Sequence, residues 1–169
     1  MAVAPAPAEP GPFRWRPATA ADVPALAELY RAAALRFGPL VYTGAQVEAW
    51  AGFPDDTAAF RHYVLEADTW LAEGPGDAAP LGFCGVDRAG TLREVHSLYV
   101  RPQATRQGLG SAMLQRTLER AQAVGTRRFA AWVTPFSRPV FLRAGFVWTQ
   151  TVVADFAGTL FERYRVERG

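Results

Sequence analysis

REVHSLYVRPQATRQGLGSAMLQ, residues 93–115, opens as a strand, breaks at Pro102, crosses a short loop and resumes as a helix. The loop ends in Gly108-Leu109-Gly110, and Met113, Leu114 and Leu118 follow at helical spacing. Backbone N–H groups in a first helical turn have no partner inside the helix. With the helix dipole they can hold an anion such as a phosphate. Glycine lets that backbone approach an anion without a Cβ in the way. Two phosphate motifs are excluded. A Walker loop needs Gly-Lys-Ser/Thr, and the chain has no lysine. The dinucleotide fingerprint needs a third glycine where Met113 stands. The loop by itself admits two readings, a phosphate cradle or a tight connection whose glycines only make room.

Outside this stretch, composition narrows the function classes. The length of 169 residues suits one domain with a proper core. Half the residues are apolar and 20% are charged, the balance of a soluble globular protein. No apolar run approaches the ~18 residues of a membrane span. A net charge of +2 without a basic block gives no reason to expect nucleic acid. Cys84 is the single cysteine, which excludes a disulfide framework and fits a cytoplasmic setting. Two histidines and one cysteine at unrelated spacing make no metal site. Residues 1–12 are Ala/Pro-rich, lack the apolar core of a signal peptide, and read as a disordered tail before a domain spanning residues 13–169.

Along the chain, residues 13–16 alternate as a first strand, and Asp22, or Thr19 before it, caps a helix whose Val23, Leu26, Leu29, Tyr30, Ala33 and Phe37 share a face. Thr43-x-x-Gln46 is a capping box for a short second helix, and residues 54–57 start a third. Strands are expected at 69–72, 81–86 and 92–100, forming an antiparallel meander. The helix from Gly110 to about Val124 leads into a mostly apolar strand, residues 128–133. A strand–helix–strand crossover makes those two strands parallel neighbours. A short helix at 137–144 and strands at 147–153 and 160–166 complete an α/β (α+β) domain. Its sheet should be mixed, mostly antiparallel, of six to seven strands around a central parallel pair, with four or five flanking helices.

Leu98-Tyr99-Val100-x-Pro102, five residues, then Gly108-x-Gly110 and Met113-Leu114 resemble motif A of the GNAT superfamily of N-acyltransferases. Thr105 stands where that motif has Gln or Arg, and the basic residue falls one later, at Arg106. Residues 140–146, VFLRAGF, resemble a second GNAT signature, Phe-Tyr-x-x-x-Gly-Phe. Residues 42–50, YTGAQVEAW, resemble a bacterial subgroup whose substrates are mostly unassigned. The resemblance implies acyl transfer, acetyl above all, from acetyl-CoA to a primary amine of a small molecule or peptide, with no metal. It places a pantetheine arm along Leu98, Tyr99 and Val100. It places a pyrophosphate on the N–H groups of Arg106, Gln107, Gly108, Leu109, Gly110 and Ser111. Thr134, Ser137 and Phe141 would border the thiol end, and Phe141 replaces the tyrosine that usually protonates the leaving thiolate. GNAT-like domains often form homodimers.

Direct aminolysis also needs a base near the middle of the same strand. By the period of two, Glu94, His96 and Leu98 share a face, so Glu94 and His96 are the candidates. Each also has a bland reading, a solvated strand carboxylate and a satisfied half-buried imidazole. The resemblance also implies that the region between the first two strands walls the acceptor site, which makes Tyr42 and Trp50 candidates there; the other reading is simple packing of short helices on the sheet. A GNAT-like acyl-CoA sensor or scaffold that does not turn over is the alternative to an enzyme.

Overall fold

The computed structural model describes residues 13–76 and 79–169; the Ala/Pro-rich tail expected over residues 1–12 lies outside them. Seven strands form one sheet in the order β1-β2-β3-β4-β5-β7-β6. They are β1 (Arg14–Pro17), β2 (Asp68–Glu73), β3 (Pro80–Val86), β4 (Leu92–Val100), β5 (Arg128–Val133), β6 (Val147–Phe156) and β7 (Thr159–Arg168). Only β4 and β5 run parallel, because α4 (Leu109–Ala123) carries the chain back between them. The other helices are α1 (Val23–Phe37), α2 (Gly44–Ala51), α3 (Thr57–Leu65) and α5 (Arg138–Arg143). The last hairpin is longer than its apolar pattern indicated, since β6 and β7 stay paired out to Phe156–Thr159.

Both faces of the sheet are covered, and the two cores differ in chemistry. On one face Leu109, Met113, Leu114 and Leu118 of α4 pack against Val86, Val95, Phe129 and Ala131. Gly82 of β3 lets α4 sit this close. A Cβ there would come within 2.7 Å of the Met113 thiomethyl and 2.8 Å of the Tyr99 carbonyl. On the other face Leu26, Leu29 and Tyr30 of α1 and Phe60 and Val64 of α3 cover Leu71 and Phe83. Burying each of the Leu, Val, Phe and Met side chains among these contributes on the order of 1.5–3 kcal/mol.

Of the two expected capping residues, Asp22 stands at the N-cap of α1, but its side chain makes no capping bond to that helix. Thr19 precedes a single 3-10 turn, Ala20–Asp22, and its N–H donates to the Asp22 carboxylate at 2.7 Å. Arg16 of β1 grips the same carboxylate at 2.8 Å and holds its pKa down to about 2. Arg16 also reaches the buried Glu73 of β2 at 2.7 Å, so one guanidinium ties β1, β2 and the start of α1 together.

Strand β4 departs from simple alternation. Gly85 pairs with Ser97 but Val86 pairs with Val95, which leaves His96 as the extra residue of a β-bulge. The expectation that Glu94, His96 and Leu98 share a face is therefore corrected. Val95 and Leu98 both pack on the α4 core. Glu94 turns to the opposite face, where Arg165 of β7 meets its carboxylate at 2.9 Å. The β4–β5 ladder ends at Val95–Ala131, although β4 continues to Val100 and β5 to Val133. Beyond that point the two strands separate as a wedge.

Candidate functional site

A cleft of about 820 Å³ runs through this wedge and joins the two faces of the sheet. On the α4 side its floor is the loop between β4 and α4. A 3-10 turn, Pro102–Ala104, follows the strand, and the Thr105 hydroxyl donates back to the Pro102 carbonyl at 2.8 Å. Arg106 (φ +62°) and Gly108 (φ +77°) then take left-handed conformations on either side of Gln107. Alternation of this kind curls successive N–H groups toward one point, a concavity suited to an anion. Gly108 is the N-cap of α4, no side chain caps that end, and no acidic residue occupies the first turn. The positive end of the helix dipole is therefore left to a ligand.

The glycines fit a backbone-held phosphate group. Gly108 needs its hydrogen for the positive φ, and a Cβ there would point into open space. A Cβ on Gly110 would make only an ordinary 3.6 Å contact with Val100. Internal packing therefore does not demand glycine at that position. Arg106, Leu109, Gly110 and Ser111 line the cleft with Gly108, whereas Gln107 does not.

Leu98, Tyr99 and Val100 form the adjoining wall. Their strand has lost its β5 partner, so an extended ligand could pair with that edge as an added strand. Across the wedge, Thr134 and Ser137 line the cleft and close a reciprocal turn. The Ser137 hydroxyl accepts from the Thr134 N–H at 3.1 Å, and the Thr134 hydroxyl from the Ser137 N–H at 3.2 Å. Phe141 is buried, edge-on to Phe146 at 5.0 Å, and presents ring carbon where a hydroxyl would be needed to donate a proton.

The far side of the cleft is aromatic. Trp50 of α2 donates its indole N–H to the Tyr99 hydroxyl at 3.2 Å and lies nearly parallel to Phe136, with ring centroids 6.4 Å apart. Phe37, at the end of α1, meets Phe136 at 6.0 Å. Tyr42 stands behind this group, edge-on to Trp50 at 5.7 Å, and opens onto a separate, shallower cleft. Burial pushes the Tyr42 phenol up to about 12 and those of Tyr30, Tyr63 and Tyr99 upward as well. All four stay protonated at neutral pH.

His96 lines the cleft at the bulge, and Glu94 does not. The His96 Nε2 lies 2.6 Å from Asp87 Oδ1, while Asp87 Oδ2 accepts the Glu94 backbone N–H at 2.9 Å. Burial pushes the Asp87 carboxyl upward, but the Glu94 N–H and His96 outweigh it and hold the pKa below its ordinary value. The Tyr63 hydroxyl donates to the His96 carbonyl at 3.0 Å and pins the bulge from α3. Cys84 is buried, which raises its thiol to about 11 and removes it as a nucleophile at neutral pH.

Asp87, Trp132 and Phe136 were not singled out in the sequence. Asp87 had a usable signal, because a β3–β4 hairpin brings the residue after β3 opposite the middle of β4. Trp132 and Phe136 had none, since their place depends on where β5 leaves β4. Among the described residues no helix is long and apolar enough to cross a membrane, and no group of three His, Cys, Asp or Glu could hold a metal ion.

Residues 40–168 match the family described as Acetyltransferase (GNAT) domain. No curated protein matches the chain. Among solved structures, a GCN5-related N-acetyltransferase from Rhodopseudomonas palustris superposes with a TM-score of 0.85 at 22% identity, covering 94% of this chain and 96% of that one. PaiA N-acetyltransferase from Thermoplasma acidophilum, solved with coenzyme A, gives 0.69 at 17% identity over 90% and 97%. A phosphinothricin acetyltransferase from Sinorhizobium meliloti, solved with acetyl-CoA, gives 0.64 at 20% identity over 94% and 88%. At these identities the superpositions establish the fold.

Proposed function

The chain belongs to the GNAT acetyltransferase family, and from that premise we propose that it transfers an acyl group, acetyl in the first instance, from acyl-CoA to a primary amine of a small molecule or peptide. The observation that carries this reading is the cleft itself. It joins an uncapped helix N-terminus to an unpaired strand edge and then to an aromatic chamber through a gap in the sheet. Acetyl-CoA supplies the acyl group as an activated thioester. The N–H groups from Arg106 to Ser111 hold its diphosphate, and Arg106 adds a charge-assisted contact. The free β4 edge at Leu98–Val100 binds the extended arm and offers an N–H to polarise the thioester carbonyl.

His96 takes the proton from the acceptor ammonium, directly or through a water, and Asp87 orients the ring and offsets the charge it gains. Glu94 supports this arrangement from behind, through its backbone bond to Asp87 and its ion pair with Arg165. Thr134 and Ser137 supply the polar contacts at the thiol end. The thiolate leaves without a tyrosine acid, which is tolerable for a thiol of ordinary pKa near ~8.5.

The test is a thermal melt with acetyl-CoA, CoA and NAD, followed by thiol release with an amine panel. Both coenzymes should raise the melting temperature, because a ligand of the native state stabilises it by mass action; NAD should not. His96→Gln should lower kcat by about 100-fold or more, with the acetyl-CoA shift retained. No shift with either coenzyme overturns the reading, and full activity in His96→Gln removes the base. The hydroxyl-free Phe141 supports a second reading, a sensor that binds acyl-CoA without turnover. It predicts the coenzyme shift but no thiol release with any amine.

A further inference from the structure

The aromatic chamber has a composition that narrows the acceptor. We infer that the acceptor is a primary amine carried on a flat aromatic body with no second positive charge. This inference rests on the acyl-transfer reading of the same cleft.

Phe37, Trp50, Tyr99, Trp132 and Phe136 line this side of the cleft, and all five are half-buried. Each leaves part of a ring toward the ligand instead of burying it in the core. Aromatic rings prefer offset-stacked or edge-on partners, and a planar ligand gives them such partners. The same faces attract one ammonium before it loses its proton.

The chamber offers nothing to further positive charge. No Asp or Glu is among the described residues that line the cleft. The two carboxylates beside His96 are already engaged. Glu94 pairs with Arg165 at 2.9 Å, and Asp87 with His96 and the Glu94 N–H. Behind the chamber, the Arg163 and Arg165 guanidiniums lie over the Trp132 ring at 5.2 and 5.3 Å from its centroid. Arg165 is itself paired with Glu94 and Glu167. The cations that line the cleft are Arg36, Arg106 and Arg143, so the second and third ammonium groups of a polyamine would face guanidiniums and no carboxylate among the described lining residues. Like charges repel, the more so in a partly dry cleft.

The experiment compares 2-phenylethylamine with spermidine, by thiol release with acetyl-CoA and by saturation-transfer NMR on the CoA-bound protein. Phenylethylamine should give at least a tenfold higher kcat/KM, and its ring protons should show transfer. Trp50→Ala should lower kcat/KM for phenylethylamine at least tenfold while the acetyl-CoA melting shift persists. Phe136→Leu keeps an apolar side chain in the loop and removes only the ring, so its similar loss separates ring recognition from misfolding. Preference for spermidine, or unchanged phenylethylamine kinetics in both variants, overturns the inference. Ring transfer without thiol release supports the aromatic class and overturns acyl transfer. Spermidine turnover with no phenylethylamine binding supports acyl transfer and overturns the aromatic class.

Discussion

The two sides of the cleft are built by opposite means. On the α4 side the groups that face the ligand are backbone groups, set by two left-handed residues and one uncapped helix end inside a span of a few residues. On the aromatic side they are rings from four separate segments, held by a hydroxyl cluster of Tyr30, Tyr63 and Tyr99 over a buried Phe60 and Phe83. A backbone cradle recognises what all its ligands share, whereas a side-chain chamber can differ from one protein to the next. Under the proposed function, the coenzyme and the acceptor would fall on different faces of one sheet.

That separation can be broken at its largest expected effect by Phe60→Ala. Phe60 is fully buried and stands edge-on to Tyr30 at 5.5 Å and to Phe53 at 5.7 Å. Its removal should destabilise the fold by about 3–5 kcal/mol, read from urea unfolding. If the two sides are independent, the increment in stability that saturating acetyl-CoA adds should be unchanged. Loss of that increment would show that the aromatic core also sets the cradle. The converse change is Gly108→Val. A β-branched residue at φ +77° is strained, and its side chain would enter space that a bound phosphate needs. Coenzyme affinity should fall about 100-fold, or ~2.7 kcal/mol, with phenylethylamine binding to the free protein little altered.

The cradle side could be read from sequence because its signals are local. Val100-x-Pro102 ends a strand, Gly108 supplies the turn, and Leu109, Met113 and Leu118 repeat at helical spacing, all within one continuous stretch. The capping box of Thr43 and Gln46 was legible for the same reason, and both of its hydrogen bonds form. The face assignment of Glu94 was not legible. It depends on the bulge at His96, a register shift against β3 that a period of two cannot reveal. The chamber was only half legible. Trp50 announced itself on a short helix, but Phe136 meets Trp50, and Trp132 joins the same cleft, only where β4 and β5 part.

Acid should act on the two sides unequally. The Asp22 pKa falls from its ordinary 3.8 to about 2, chiefly through the bond to Arg16. A lowered pKa in the folded state gives stability that is present above pH ~4 and is lost as pH falls through 3.8 toward 2. Arg16 is about a third exposed, so solvent screening reduces the contribution to roughly 1 kcal/mol. Glu73, held low by Arg16 and Arg14, should change in the same sense. Between pH 4.5 and 2.5 the amides of β1 and α1 should lose hydrogen-exchange protection before those of α4. Arg16→Met should reduce that pH dependence.

The smallest change sharpens the comparison most, because it leaves every ring in place. Thr43 caps α2 through its hydroxyl, which accepts the Gln46 N–H at 3.3 Å, while the Gln46 side chain returns a bond to the Thr43 N–H at 2.9 Å and another to the Leu160 carbonyl of β7. Thr43→Ala removes one of these three bonds. It should cost about 0.5–1 kcal/mol, the low end for a cap because the bond is long. The consequence should be confined to the helix that carries Trp50. KM for phenylethylamine should rise two- to threefold, with kcat and the acetyl-CoA melting shift unchanged. An equal rise in KM for acetyl-CoA would mean that α2 positions both substrates, and the division of labour between the faces would have to be redrawn at Tyr99. That residue's hydroxyl accepts the Trp50 indole while its backbone belongs to the β4 edge, so the two sides touch directly there.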